Sequence, residues 1–450
     1  MIASQAALPT RDEARRLADR VLALSGADAT EVVLVGTDTR LTRFAQNQIH
    51  QNVGSRDLEI RVRAVLGNRI GVASTNDPAD EALRRVVARA AEIAAVQPDN
   101  PDFRGLPDPG LAGDRGDVGG YSAGTAGYSA ADRAAQVAEV CAQAAEAGLT
   151  AAGAFETGAQ SLTVANSLGL FGHHAGTRAA FSTVVSGADS SGYAARLAMD
   201  ADGIDIAAAG REAIEKAIRG RDPASVPAGT WTVVLEEYAV ADLLAYLGYV
   251  GFGAQGYLQG ASFASGRLGE RLCAPSVSVW DDGMDPGGIL SPFDYEGVAR
   301  RRVSLIEAGV ARGVVWDTFT AGREGRESTG HALPAPNPFG PFPTCLHMAP
   351  GDLDRADLAA GVERGLWITR FHYVNVMDPK ATVITGMTRD GTYLIEGGRV
   401  TRPVRNLRFT EQILGALSRV AGIGRETRLL PAWFGAVRCP AVRIDGFSLQ

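Results

Sequence analysis

The chain has 450 residues, 46% of them hydrophobic and 21% charged, a balance that excludes wholesale disorder and a fibrous repeat. Its net charge of −7 and the lack of a long basic run disfavour a dedicated nucleic-acid binder. Four cysteines without CxxC spacing indicate reduced thiols rather than a disulfide framework or a zinc ribbon. With no signal-peptide pattern and no apolar stretch of membrane-spanning length, a cytoplasmic protein is expected.

The first part of the chain predicts helices packed on an antiparallel sheet. Thr10 and Glu13 have the spacing of a capping box, and apolar residues follow them at helical intervals. Apolar and polar residues then alternate up to Gly67-Asn68, where a hairpin must turn. Asp77-Pro78 predicts the cap of a second helix. Residues 1–98 are therefore expected to form an N-terminal α+β region.

The rest of the chain divides into a linker and two further regions. Prolines, glycines and small polar residues replace periodicity over residues 99–128, which predicts a linker or loop. Helix, strands and a second helix recur over residues 129–226, a central α+β region. Residues 227–450 begin with a strand and an apolar helix and continue as short strands between Gly and Pro turns. The predicted fold class is α+β, in which an N-terminal helix and antiparallel-sheet region precedes a mostly antiparallel β C-terminal domain.

Two patterns match functional motifs without the surroundings that those motifs need. Residues 251–256 satisfy GxGxxG, but a predicted helix precedes the glycines where a dinucleotide site needs a strand. Residues 120–124 satisfy GxSxG, but no predicted strand leads into Ser122 as a nucleophile elbow requires. Neither pattern predicts a site.

Histidine and cysteine positions give one alternative site. His173 and His174 are adjacent in a predicted strand, so their side chains face opposite ways and are poor partners for one metal. His331, Cys345 and His347 flank a proline-rich stretch, and a stand-alone hydrolase could use them if they meet in space. The residues alone predict no complete catalytic constellation.

Several segments resemble the TldD/PmbA family over nearly the whole chain. They are RFAQNQIH from Arg43, WTVVLEEYAVADLLAYL from Trp231, DDGMDPGG from Asp281, FDYEGV from Phe293, LIEAGV from Leu305, ESTGHA from Glu327 and GTYLIEGGRVTRPV from Gly391. The resemblance implies an N-terminal α+β region followed by a curved, mostly antiparallel β domain. It also implies a cytoplasmic protein of a family once described as modulators of DNA gyrase.

The two branches of that family differ in their zinc chemistry. TldD-like members carry HExxxH on the helix after the strand equivalent to TVVLEE, with a cysteine near the C-terminus as a further ligand. Here the corresponding positions hold Ala245, Tyr246, Val250 and Ile423, none of which offers a zinc ligand. The resemblance therefore implies the TldE (PmbA-like) branch, with no catalytic, cofactor-binding or metal-binding residue in this chain. The helix that would carry zinc is instead predicted to be an apolar core element.

The resemblance implies a non-catalytic subunit as the function. Its expected partner is a TldD-like metallopeptidase that holds the zinc, in a heterodimer that processes or degrades unfolded or leader-bearing peptides. Extended peptides are the expected substrates, the isolated chain is expected to be able to form a homodimer, and neither nucleic acid nor membrane is an expected partner. The alternative is a binding or regulatory protein without a proteolytic role, like the gyrase modulators.

Overall fold

The computed structural model describes residues 8–450, so residues 1–7 of the predicted first region lie outside the described part. The α+β class is confirmed. The helices are α1 (Arg11–Ala23), α2 (Asp80–Val96), α3 (Ala123–Ala126), α4 (Ala130–Glu146), α5 (Ile206–Arg219), α6 (Glu237–Gly251), α7 (Ala254–Leu258), α8 (Thr318–Arg323), α9 (Asp357–Ala360) and α10 (Ile413–Ser418).

The strands fall into two groups along the chain. Those before α6 are β1 (Ala29–Ala45), β2 (Gln48–Leu66), β3 (Arg69–Thr75), β4 (Thr150–Asn166), β5 (Phe171–Ser186), β6 (Ser191–Ala198) and β7 (Gly229–Leu235). Those after it are β8 (Val279–Asp281), β9 (Val303–Glu307), β10 (Val310–Ala311), β11 (Cys345–Met348), β12 (Arg364–Asp378), β13 (Val383–Glu396), β14 (Arg399–Pro403), β15 (Arg408–Gln412), β16 (Val420–Ala432) and β17 (Gly435–Leu449).

The first six strands form one antiparallel sheet in the order β3-β2-β1-β4-β5-β6. Strand β1 pairs with β2 on one side and with β4 on the other, so residues 1–98 and 129–226 contribute to the same sheet. Apolar side chains of α1 and α2 pack on its first strands, and those of α4 and α5 pack on its last strands. The segment 99–128 that joins the two regions contains a 3₁₀ turn at Pro109–Leu111 and the short helix α3.

Local sequence signals fix two of the helix starts, and a third differs from its prediction. Thr10 and Glu13 form the expected capping box at α1, and Ser129 begins α4 in the same way. Helix α2 starts later than Asp77-Pro78 suggested, with Ala79 as its N-cap and no side-chain cap bond. The Asp77 carboxylate accepts the N–H of Ala79 at 2.9 Å, so it closes the turn before the helix instead of capping it.

The second sheet has eleven strands and follows the path β10-β9-β8-β11-β17-β15-β13-β12-β7. Strand β14 lies beside β13, β16 lies beside β17, and β7 also pairs with β17, so the sheet curves back onto itself. The pairs β11/β17 and β7/β12 are parallel, and the other pairs are antiparallel. Helix α6 packs against β12, β16 and β17. No helix within residues 8–450 has the length and apolar character needed to cross a membrane.

A loop of the second half of the chain, residues 227–450, packs against the first sheet. Phe293 is 1% exposed and belongs to an apolar cluster with Val33 and Val164 of that sheet. A Cβ at Gly172 would lie 3.2 Å from the Phe293 ring, so glycine lets the ring approach this strand closely. Three residues further on, Glu296 lies 3.4 Å from the Arg63 guanidinium. The FDYEGV segment therefore fastens the two halves of the molecule together.

Candidate functional site: the cleft beside helix α6

Helix α6 is buried on almost every side. All six predicted core positions are buried. Val250 is 8% exposed, and the other five are 0% exposed, namely Ala239, Val240, Leu243, Leu244 and Leu247. A helix that is apolar all round belongs in the interior, and here strands pack on several of its faces. The sequence-based prediction of an apolar core element is confirmed.

The four degenerate positions do not come together as one site. Ala245 and Tyr246 line a cleft, and the Tyr246 hydroxyl donates a hydrogen bond to the carbonyl of Val374 at 2.6 Å. Val250 belongs to the apolar core, and Ile423 pairs with Val442 inside the second sheet without lining the cleft.

These residues do not fit a zinc ion. Zinc needs a tetrahedral set of nitrogen, sulfur or carboxylate ligands. Ala245, Val250 and Ile423 have only aliphatic side chains, and the Tyr246 hydroxyl is hydrogen-bonded to a carbonyl. Within residues 8–450, no group of three His, Cys, Asp or Glu side chains is placed to hold a metal.

The cleft has a volume of about 300 Å³ and lies between the two sheets. Strand β6 of the first sheet forms one wall, α6 forms the floor, and β12 and the end of β16 complete it. The lining residues are Tyr193, Ala195, Tyr238, Ala241, Asp242, Ala245, Tyr246, Arg370, Phe371, Leu430, Pro431, Ala432 and Trp433. A cavity of this size at the junction of two sheets is a typical place for a ligand.

One carboxylate faces the cleft from the helix. Burial raises the pKa of Asp242 to about 7, although Arg370 and a hydrogen bond from the N–H of Phe371 both favour its charged form. The Arg370 Nε donates to Asp390 at 2.6 Å, and its guanidinium lies 4.2 Å from the centre of the Tyr193 ring. Neither Asp242 nor Arg370 belongs to a recognisable sequence motif, although an aspartate inside an apolar helix is a visible signal.

Aromatic rings form the mouth of the cleft. Trp433 is 61% exposed, and its ring meets that of Tyr246 edge-on with centroids 4.6 Å apart. Tyr249, on the next turn of α6, approaches the same tryptophan at 6.3 Å. Aromatic pairs of this geometry add to the energy of simple burial, so the rings form an ordered edge.

A network of ion pairs lies at the start of α6. Glu236 accepts hydrogen bonds from Lys216 and from the Trp367 indole, each at 2.7 Å. Lys216 also reaches Glu212 at 2.8 Å. Although burial alone would raise it, the charges of Lys216, Arg428 and Arg196 hold the pKa of Glu212 far below its usual range. The network connects α5 to α6, and no local sequence pattern predicts it because its members are distant in the chain.

The alternative His–Cys group is only partly assembled. Asp281 accepts the Nε2–H of His331 at 2.9 Å and the backbone N–H of Cys345 at 2.7 Å, which brings these two residues together. His347 instead stacks on Trp280, with ring centroids 5.6 Å apart. Burial raises the pKa of the Cys345 thiol to about 11, so the thiol stays protonated at neutral pH. This geometry does not favour a nucleophilic cysteine.

The remaining patterns have structural roles. Ser122 caps helix α3 by accepting the N–H of Thr125 at 3.2 Å, and the segment that leads into it is not a strand, because α2 and a 3₁₀ turn separate it from β3. The GxGxxG glycines begin where α6 ends, as predicted. His173 accompanies His174 on β5 and bonds Thr163 at 2.8 Å, and both imidazoles are half-buried rather than fully on the surface.

Three sequence profiles of one metallopeptidase family match the chain in order. They are described as PmbA/TldA metallopeptidase domain 1, central domain and C-terminal domain, and they match residues 30–94, 126–221 and 228–450. The solved structure of TldE from Thermococcus kodakarensis has a TM-score of 0.88 at 18% identity, over 97% of this chain and 99% of that one. This likeness shows that the two share a fold.

Curated relatives match a smaller part of the chain. A metalloprotease of Methanothermobacter thermautotrophicus is 28% identical over 230 residues, which cover 50% of this chain and 49% of that protein. A metalloprotease TldD homolog of Haemophilus influenzae is 29% identical over 260 residues, covering 53% and 52%. The chain therefore spans about half the length of the curated relatives that it matches.

Proposed function

The chain belongs to the TldD/PmbA family, and we propose that it is the non-catalytic, TldE-like subunit of a TldD–TldE zinc metallopeptidase. The observation that carries the proposal is the chemistry of α6. Where the metal-binding branch has histidines and a glutamate, this helix turns Ala245 and Tyr246 toward the cleft and buries Val250. The zinc, the water that it activates and the general base would belong to the partner, as would the proton transfers.

The proposed substrates are extended segments of unfolded or leader-bearing peptides, and the strand edges at the cleft support this. Beyond the single bridge between Leu353 and Gly424, β16 pairs only with β17 within the described residues, so its last part has an unpaired edge. On the opposite wall, Ala195 already donates its N–H to the Tyr238 hydroxyl, and Lys216 reaches the carbonyl of Tyr193. A peptide that adds a strand would therefore use β16, with backbone hydrogen bonds that demand little of its sequence.

The test is reconstitution with a TldD-like protein from the same organism. The chain is purified alone and after co-expression, and hydrolysis of an unfolded protein is measured with and without a chelator. We expect no turnover by the chain alone, a one-to-one complex with the partner, and chelator-sensitive turnover by that complex. Replacing the glutamate of the partner's HExxxH should abolish turnover and leave the complex intact.

Two outcomes would overturn the proposal. Chelator-resistant turnover by the isolated chain would identify a self-sufficient hydrolase. Recovery of other proteins from native lysate, without any TldD-like chain, would favour the binding-protein alternative. The same purification gives the mass of the isolated chain in solution, which tests the expected homodimer, and cell fractionation tests the proposed cytoplasmic location.

A further inference from the structure

The charges around the cleft leave one carboxylate, that of Asp242, without an ion-pair partner of its own, although it accepts the N–H of Phe371. Arg370 is the cation whose charge favours the ionised form of Asp242. However, its Nε donates to Asp390, a residue of β13 that is 1% exposed. The other Asp390 oxygen is 3.8 Å from Arg389, a side chain that is 46% exposed. Arg370 is thus committed to Asp390, and Asp242 is the acidic group left facing the cavity.

Besides Arg370, two cations reach the cleft residue Tyr238, namely Arg196 and Arg428, and both are ion-paired with Glu212. The tyrosine and cysteine side chains near Asp242 are neutral at neutral pH. Burial raises the pKa values of Tyr193 and Tyr246 to about 12. Burial also raises the pKa of the Cys439 thiol well above its ordinary value. None of these neutral side chains supplies a positive charge to balance the carboxylate.

Two aromatic rings that line the cleft, those of Tyr246 and Trp433, have no cation over them, and the Trp433 side chain is 61% exposed. The rings of Tyr193 and Tyr238 already have cations over them, Arg370 at 4.2 Å and Lys216 at 5.0 Å respectively. Among the cation–ring contacts of residues 8–450, none involves Tyr246 or Trp433. An electron-rich ring face beside an uncompensated carboxylate is the arrangement that recognises ammonium and guanidinium groups.

We propose that the cleft binds a basic side chain, lysine or arginine, of an extended peptide, with Asp242 as the counter-charge and the rings of Tyr246 and Trp433 as walls. This inference rests on the proposed peptide-handling function and deepens it by naming a substrate preference. An acidic side chain would meet the Asp242 carboxylate, and an apolar one would desolvate it without a partner, so both are disfavoured.

The experiment measures binding of short capped peptides to the purified chain by isothermal titration calorimetry, above the pKa of Asp242. One peptide has a central lysine, and the matched peptides have norleucine or glutamate there. We expect the lysine peptide to bind about tenfold more tightly than the norleucine peptide, and the glutamate peptide to bind most weakly. Equal affinity for lysine and norleucine would overturn the proposal.

Variants assign the effect to the cleft. Asp242→Asn should abolish the preference for lysine over norleucine by weakening lysine binding, and norleucine binding should be no weaker than in the wild type. Asp19→Asn makes the same charge change on an exposed face of α1 and should alter neither. Trp433→Ala, at an exposed position where folding is not at risk, should weaken lysine binding about fivefold. Unchanged lysine affinity in both cleft variants would contradict the proposal.

The pH dependence gives a further readout. Because Asp242 must be ionised to act, affinity for the lysine peptide should fall toward the norleucine level, by about tenfold in all, as the pH drops below the Asp242 pKa of about 7. Norleucine binding should not weaken over this range, and Asp242→Asn should remove the pH dependence of lysine binding. If the chain forms an active complex with its partner but binds lysine and norleucine peptides equally, only this inference is wrong. If it prefers the lysine peptide but forms no complex with a TldD-like protein, only the proposed function is wrong.

Discussion

The Nζ of Lys216 lies 2.7 Å from a carboxylate oxygen of Glu236, so the last turn of α5 is tied to the residue that precedes α6. The two side chains are 12% and 2% exposed, which places this ion pair in the interior between the two halves. Arg355 is a second partner of Glu236 at 3.1 Å. Buried pairs of this kind are costly to break because the remaining charge stays desolvated.

We therefore expect Lys216→Met to lower the free energy of unfolding by about 3 kcal/mol, as measured by urea denaturation. Arg85→Met is the control, because Arg85 and Glu81 form an exposed pair with side chains 65% and 72% accessible. That control should cost less than about 0.5 kcal/mol. Equal losses in the two variants would show that the buried pair does not hold the halves together.

Truncation of the helix core should also be costly. Leu244 is 0% exposed in the centre of α6, and Leu244→Ala should destabilise the protein by about 2–5 kcal/mol. Leu168 is 46% exposed in the turn after β4, so Leu168→Ala should change stability by less than about 0.5 kcal/mol. Thermal or urea unfolding of both variants checks the pair, and a mild effect at Leu244 would contradict the core assignment.

Asp242 should make stability depend on pH in a defined direction. Its folded pKa, about 7, lies above the ordinary value of 3.8, so the folded state keeps a proton that the unfolded chain releases. The contribution of Asp242 to the free energy of unfolding is therefore fully present below about pH 4 and is lost as the pH rises toward 7. Relative to the wild type, Asp242→Asn should gain stability across that window, by at most about 1.4 kcal/mol per pH unit. Asp19→Asn should show a flat difference, and a flat difference at Asp242 would refute the shifted pKa.

Thiol chemistry tests the stand-alone hydrolase alternative. All four cysteines are free and buried, and burial raises the pKa of Cys345 to about 11. We expect the native protein to be inert to a thiol-specific reagent over minutes, and the denatured protein to react at all four cysteines. Cys345→Ser should remove one reactive group from the denatured protein. Fast reaction of native Cys345 would restore the alternative.

Restoring the missing ligand types should not restore a zinc site. In the triple variant Ala245→His, Tyr246→Glu and Val250→His, the last imidazole would enter the apolar core, and Ile423 would still lie away from the cleft. We expect no equimolar zinc after gel filtration and no partner-independent hydrolysis of an unfolded protein. Tight stoichiometric zinc with turnover would mean that the active geometry persists in this chain.

Local patterns were sufficient for much of the fold. The Thr10 and Glu13 capping box, the turn at Gly67-Asn68 and the apolar spacing of α6 each depend on residues within a few positions of one another. Propensity and hydrogen bonding act at that range, so the sequence carries these signals directly. The α2 cap was misassigned because an aspartate can satisfy a turn or a helix with the same oxygen.

Long-range pairing could not be read in the same way. Alternation in β1 indicates which side chains face the core, but it does not say that β4 is the second neighbour of β1 across the linker. The cleft depends on the same kind of information, since Asp242 on α6 and Arg370 on β12 meet only through tertiary packing. The family resemblance located the helix but gave no indication of this acidic cavity.

The docking of Phe293 has a consequence for how such chains can diversify. Its ring completes an apolar cluster with Val33 and Val164 of the first sheet and Leu170 of the turn between β4 and β5, and Gly172 leaves space beside the ring. Without the second half, the first sheet would lose the Phe293 ring from this cluster, and without the first half that ring would be exposed. If relatives exchanged halves at residue 227, Phe293 and the cluster that surrounds it would have to come from compatible proteins. Recombination at that boundary is therefore constrained by a contact that is distant from it along the chain.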